Sequence, residues 1–468
     1  MKPPSLIRSL ALTLLLSACT VGPNYTPPKP KAAAEWIEPA TPGPVDLAWW
    51  DRFGDAQLSV LVKKAVASAP DLREAQGRIA EARDNRDAAA GGALPSVTAK
   101  GSATENVLSN NGQLPIGQIP IPAFTRDFPL YDLGFDASWE LDLWGRHRRQ
   151  TEAARARAEA AEYGRRDVMV TLIGELVRSY LDLRSAQADR RTAQAQAASD
   201  AELARLTKLR FDAGEATRIE LANAEASART SAGAVPDADA RANAAAYRIA
   251  TLLGVPPEEI VPALKPDGPL PASPDTILTG LRSELLERRP DVRRAERELA
   301  AATAEIGVAT ADLFPRFTLM GSVGQQARNP GDLFTADSTR LQIGPSFSWP
   351  IFSGGTIRAQ IRGANARAEQ AAARYEKAVA AALSDSEGAI NRFLNARATA
   401  AESAAALERA QASFALAEQR EAHGEDDRLA LERARAALLA AARRADLASA
   451  AKATAAAGLF KALGGGWS

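Results

Sequence analysis

The residues able to do chemistry are few. Cys19 is the one cysteine in 468 residues, and it follows Leu16, Ser17 and Ala18 at the end of an apolar run, Leu10 to Leu16. A single thiol has no intramolecular disulfide partner, so its chemistry is that of a lone nucleophile. His147 and His423 are the two histidines; with so few soft ligands no His and Cys metal cluster is expected, and His147, in WGRHRR, reads as a solvated polar residue. Acids occur side by side at Asp426 and Asp427, where helix-end carboxylates serve as caps or solvated charges. There is no phosphate loop, nucleophile elbow or dinucleotide fingerprint, and no enzyme is expected. Methionine and histidine clusters that would line a soft-metal path are missing as well.

The thiol has a context. Lys2 and Arg8 precede the apolar core, which is too short to span a bilayer, so residues 1–18 read as an export signal. The order Leu16, Ser17, Ala18, Cys19 resembles a bacterial lipobox, which implies cleavage before Cys19 and acyl chains on its sulfur and new amino group. Residues 19–48 are too rich in proline for helix or regular strand and read as a lipidated, extended tether. Lys and Arg number 57, as do Asp and Glu, so no overall field draws nucleic acid. Beyond the leader no segment has the roughly twenty apolar residues of a membrane helix; any spanning part must be β-barrel.

The chain contains itself twice. Displaced by 220 residues, Pro70 falls on Pro290, Pro95 on Pro315, and Gly101 with Ser102 on Gly321 with Ser322. Displaced by 210, Trp139 falls on Trp349, Gly214 on Gly424, Arg218 on Arg428 and Gly254 on Gly464. This internal duplication divides the chain into a first repeat over 49–254, a linker of the tether's kind over 255–275, and a second repeat over 276–468.

Each repeat changes period. Leu133, Phe135, Ala137, Trp139, Leu141 and Leu143 alternate with Asp132, Asp136, Ser138, Glu140 and Asp142; Leu341, Ile343, Phe347, Trp349 and Ile351 alternate with Gln342, Ser346 and Ser348. These are strands, placed at about 131–143 and 341–352, with fainter partners at about 95–105 and 315–325. A run of about ten residues suits a tilted membrane strand, and Trp139 and Trp349 stand where interfacial aromatics stand. The remainder is helical. Leu172, Leu176 and Tyr180 recur beside Ile173, Val177 and Leu181 in a proline-free run from about 148 to 210, a rod of about 90 Å. The return helix, about 217–253, is expected to break at Pro236.

The lipobox, the tether CTVGPNY, the stretch WWDRFGD, the duplicated plan and the turns RFDAGEATRIELANAEA and REAHGEDDRLALERARA together resemble the TolC-like outer membrane efflux proteins, in their NodT-like lipoprotein branch serving resistance-nodulation-division pumps. The resemblance implies a mainly α, duplicated fold with a membrane β part: a homotrimer closing a 12-stranded β-barrel over a 12-helix periplasmic α-barrel. It implies a passive exit duct in the outer membrane, with no cofactor beyond the lipid on Cys19, whose partners are a periplasmic adaptor protein, an inner-membrane pump and outer membrane lipid. It places Gly214, Arg218, Gly424 and Arg428 at the periplasmic tip. Acids just after such turns form the constriction; Glu220 matches, but its equivalent is Ala430 and the next expected acid is Arg433, leaving Glu220, Asp426, Asp427 and Glu432 as candidates. The oligomer has independent support, because four strands cannot close a membrane barrel.

The residues alone leave two competitors. A periplasmic adaptor would carry one helical hairpin inside small β-domains, and a structural envelope lipoprotein would use coiled rods without a pore. Strands on both sides of each polar loop argue against both.

Overall fold

The computed structural model describes residues 20–29, 35–109 and 126–467. Cys19, the leader and most of the polar loop expected between the first two strands, around 107–130, lie outside them. The fold divides into two units. Of the described residues, a sheet unit comprises those of 20–28, Ala80–Glu159 and Glu296–Arg374; a helical unit comprises those of Lys29–Ile79, Ala160–Ala295 and 375–467.

The first repeat runs α1 (Ala56–Ser68), α2 (Pro70–Gly91), β1 (Ser96–Val107), β2 (Asp127–Leu141), α3 (Arg146–Asp212) and α4 (Arg218–Leu253). After α5 (Pro257–Leu264), the second runs α6 (Arg282–Arg288), α7 (Pro290–Ala311), β3 (Arg316–Ala327), β4 (Thr339–Ser348), α8 (Thr356–Ala422) and α9 (Arg428–Ala462). The duplication is therefore structural: α3 and α8 are both 67 residues long. Pro95 and Pro315 stand directly ahead of β1 and β3, where a proline forces the preceding residue out of helical geometry. β4 stops at Ser348, short of the expected 352, and Pro350, with no N–H for a ladder, follows two residues later.

In the sheet unit the strands form one antiparallel sheet in the order β1-β2-β3-β4. The hairpins β1-β2 and β3-β4 are the two repeats' contributions, and β2 pairs with β3 across them.

In the helical unit the stripe read from the sequence is the core. Ile173, Leu176, Val177, Tyr180 and Leu181 of α3 are at most 1% exposed and share one buried core with Leu58, Ile249, Leu253, Phe460 and Trp49, which stacks on Phe460 at 5.3 Å. The Tyr180 hydroxyl donates to Asp55 at 2.8 Å; Asp55 also caps α1 by accepting the Leu58 N–H. Burial pushes the Tyr180 hydroxyl up to about 12.

Two expectations are corrected. Pro236 does not interrupt the return helix: α4 runs through it for 36 residues. Pro236 and Ala232 are both exposed, so the carbonyl left without a donor faces water. The 255–275 linker is not wholly irregular either. Pro257 opens α5 at a first-turn position that needs no N–H, and buried Val261 and Leu264 hold the helix to the core.

Candidate functional site: the sheet wall and the helix-tip turns

The register gives the sheet two chemically distinct faces. One row, Ala99, Phe135, Val323 and Leu341, crosses all four strands, and the next, Val97, Ala137, Gly321 and Ile343, lies beside it. These apolar side chains are uncovered: Phe135 is 57% exposed, Leu341 74% and Ile343 75%. The opposite face carries Thr98, Asp136, Ser322 and Gln342 in one row. There Lys100 pairs with Asp136 at 2.8 Å. Arg340 grips Asp132 with Nη2 at 2.7 Å and Nε at 3.0 Å and donates from Nη1 to Ser322, while Gln326 donates to Asp132 at 2.8 Å. An apolar face open on one side and a paired polar network on the other is the wall of a membrane barrel. Among the described residues no helix is long and apolar enough to cross a membrane.

The outer edges of β1 and β4 have no strand partner among the described residues. At the foot of the sheet, Trp139 donates its indole N–H to the Ala93 carbonyl at 2.9 Å and Trp349 donates to the Leu313 carbonyl at 3.0 Å. Both carbonyls lie two residues before the strand-opening proline, so each tryptophan ties a returning strand to the helix exit of its own repeat. His147 is buried there, 8% exposed, with Nε2 3.6 Å from Glu140; it is not the solvated residue expected.

The tip turns belong to the helical unit and share one backbone. The Glu215 N–H bonds to the Arg210 carbonyl and Gly214 to Phe211; Glu425 bonds to Arg420 and Gly424 to Glu421. This is a Schellman termination, and the left-handed φ of +80° at Gly214 and +74° at Gly424 makes glycine the fitting residue. The next helices start differently. Thr217 accepts the Glu220 N–H at 3.2 Å while Glu220 accepts the Thr217 N–H at 2.6 Å and its hydroxyl at 2.9 Å, a reciprocal capping box. These bonds, the backbone one foremost, hold the Glu220 carboxyl below its usual range. In the second repeat Asp427 alone caps α9 by accepting the Ala430 N–H at 2.7 Å. Asp426 is gripped by Arg420 at 2.7 Å.

Glu432 is fully buried, accepting from Ser199 at 3.3 Å and pairing with Arg428 at 3.1 Å and Arg435 at 2.8 Å. Arg218 is exposed at the start of α4, whereas Arg428 also reaches Glu421 at 3.7 Å. The difference is local, since the first repeat has Phe211 and Ala222 where the second has Glu421 and Glu432. One cluster escaped the sequence reading. Asp189 of α3, 3% exposed, accepts from Arg241 of α4 at 2.5 Å and from Arg443 of α9 at 2.6 and 3.2 Å. Its one sequence signal is an acid set among the alanines of a buried stripe. No group of three His, Cys, Asp or Glu among the described residues is placed to hold a metal.

Against known proteins, the model of outer membrane efflux proteins matches residues 61–255 and 281–465, one block per repeat. The chain belongs to the outer membrane efflux protein family. This efflux protein is 33% identical over 381 residues to nodulation protein T of Rhizobium leguminosarum bv. trifolii, covering 81% of this chain and 79% of the relative. It is 31% identical over 463 residues to the pyoverdine export outer membrane protein OpmQ of Pseudomonas aeruginosa, covering 98% and 96%. Among solved structures, the outer-membrane channel OprN matches 96% of this efflux protein and 100% of its own chain, with a TM-score of 0.85 and 36% identity. The duplicated, mainly helical fold with a small sheet is thus that of an efflux channel. Neither an adaptor nor a poreless envelope lipoprotein accounts for the uncovered apolar sheet face.

Proposed function

We propose that the protein is the exit duct of a tripartite efflux pump: a homotrimer that conducts substrate passively from the periplasm through the outer membrane. The observation that carries this reading is the four-stranded sheet with one apolar face, one polar face and, among the described residues, two unpaired edges. Open edges are not tolerated in lipid, and three copies pairing β4 of one with β1 of the next give a closed twelve-stranded barrel whose polar networks line the lumen. The resistance-nodulation-division pump supplies the energy, a periplasmic adaptor engages the Gly214 and Gly424 turns, and no bond is made or broken in the duct. In the same reading the leader 1–18 is removed, Cys19 carries the lipid, and 19–48 is the tether ahead of the repeats 49–254 and 276–468. Trp139 and Trp349 lie at the membrane boundary with their N–H groups already satisfied.

The tip acids divide by burial. Glu220, Asp426 and Asp427 are the remaining constriction candidates; Glu432, enclosed within the protomer, is set aside. The deciding experiment is the mass of the protein extracted from outer membranes in mild detergent, followed by conductance in planar bilayers. A conducting trimer is expected, and a stable monomer overturns the proposal. Glu220→Gln preserves the capping box, which accepts Glu or Gln, while removing the charge. A shift in cation preference is expected, and an unchanged preference removes Glu220 from the constriction.

A further inference from the structure

The first described residues after Cys19 do not behave as a loose chain end. The Val21 N–H donates to the Trp144 carbonyl at 3.1 Å. Arg149, only 3% exposed, donates from Nε to the Val21 carbonyl at 3.2 Å and from Nη2 to the Gly22 carbonyl at 3.3 Å and the Asn24 side-chain oxygen at 2.7 Å. Its Nη1 is taken by Glu152 at 2.8 Å. Gly22, at φ +87°, lies on α7 so closely that a Cβ there would stand 2.4 Å from the Gly307 Cα. A Cβ on Gly307 would in turn stand 2.8 Å from the Val21 carbonyl oxygen, and one on Gly145 would stand 2.7 Å from the Thr20 methyl. The Tyr25 hydroxyl donates to Glu296, itself 3% exposed, and the Tyr25 ring packs on Ala156, Ala300 and Ala301 beneath the Arg297 guanidinium.

A polar, proline-containing terminus frays unless it is tied down. Here two buried charges, Arg149 and Glu296, and two glycines, Gly145 and Gly307, are arranged around it, and the segment brings its own Gly22 to the contact. A buried guanidinium is tolerated where its donors are satisfied, and three of the acceptors that satisfy Arg149 belong to this short segment. The missing side chains of Gly145, Gly307 and Gly22 are the space in which the segment lies.

We propose that Thr20–Tyr25 is an intramolecular ligand, and that the site built by Gly145, Arg149, Glu296 and Gly307 is its receptor, registering the N-terminal attachment point with the end of β2. The receptor stands on the geometry alone; that the registered point carries a lipid rests on the acylation of Cys19 proposed above. Docked, the segment ties α3 of the first repeat to α7 of the second just below the sheet. The anchor then sits at a set place relative to the barrel wall rather than on a free tether.

The test is amide hydrogen exchange on the full-length protein purified from outer membranes in mild detergent, with the N-terminal peptide weighed in the same samples. The Val21 amide is expected to exchange at least ~100-fold more slowly than in a free peptide, as a stably bonded amide does. Gly307→Leu fills the receptor and should bring that amide to the free-peptide rate while the amides of β1 to β4 keep their protection. Asn24→Ala, a change on the exposed ligand, should raise the Val21 rate about tenfold, and it decides the matter if Gly307→Leu does not assemble. A Val21 amide unprotected in the parent protein, or protection unmoved in the assembled variants, overturns the proposal. A parent N-terminal peptide without acyl mass refutes the lipid reading and leaves the receptor standing.

Discussion

Asp189 joins three helices through one carboxylate, and its removal has a calculable effect. Asp189→Asn keeps the shape but replaces a charge that accepts three N–H bonds, one from Arg241 and two from Arg443. Breaking a fully buried ion pair costs about 3–5 kcal/mol. The two guanidiniums are 46% and 47% exposed, so water re-solvates them once the carboxylate is gone, and each contact is discounted to about 1 kcal/mol. The sum, about 2 kcal/mol, is roughly a 30-fold change in the equilibrium for local opening. Hydrogen exchange reads it directly: amides of α4 around Ala238 to Ala246 and of α9 around Arg443 should exchange about 30-fold faster, while those of β1 to β4 stay unchanged. Burial alone would raise the Asp189 carboxyl, but the hydrogen bonds from Arg443 and Arg241 outweigh it and hold it below the ordinary 3.8. A depressed carboxylate contributes its stability fully above the unfolded value and loses it as pH falls through the folded one. The difference in rate between parent and Asp189→Asn should therefore be fully present at about pH 7 and shrink only as the pH falls below 3.8 towards the lower folded value. An increase under threefold in Asp189→Asn, or one spread evenly over the chain, refutes the clamp.

Three further outcomes are expected. Thr217→Ala removes the capping box of α4 at a cost of about 1 kcal/mol, read as faster exchange in its first turn alone, and Thr217→Ser should restore the parent rate. Gly134→Ala places a Cβ 2.6 Å from the Val323 carbonyl oxygen; a cost of roughly 1–3 kcal/mol should reduce the amount of trimer recovered from outer membranes. Gly101→Ala, whose Cβ meets nothing nearer than a Leu133 methyl at 3.4 Å, should leave that trimer unchanged. Trp349→Phe removes the indole donor to Leu313 and should lower the temperature of trimer dissociation, by an amount matching about 1 kcal/mol.

What was legible in the sequence was whatever periodicity encodes. Leu133 to Leu141 announced their face because a strand alternates, although β2 ends there and leaves Leu143 of the expected run outside it, and Leu172, Leu176 and Tyr180 announced a core because a helix repeats. Pro236 misled because the local cost of a proline says nothing about a 36-residue helix that carries the defect on its wet side. The roles of the tip acids were hidden for another reason. Residue type marks Glu220 and Glu432 equally as charged, but one closes a box with Thr217 three residues away and the other is enclosed by Ser199, 233 residues away. Asp189 depends on Arg241 and Arg443, 52 and 254 residues along the chain, and no spacing rule reaches that far.

The unpaired edges of β1 and β4 bear on time as well as on architecture. Among its described residues a newly exported protomer offers two strand edges without a strand partner and an uncovered apolar face, the features that drive strands into non-native association. Two routes compete for the same surfaces: closure with two sister chains, and aggregation with any exposed strand in the periplasm. Closure depends steeply on local protomer concentration, so the hazardous interval shortens as copies are delivered close together and lengthens when they arrive singly. Yield of the mature channel then depends on traffic as well as on contacts, and a variant that leaves every contact in the finished barrel intact still loses yield if it slows that encounter.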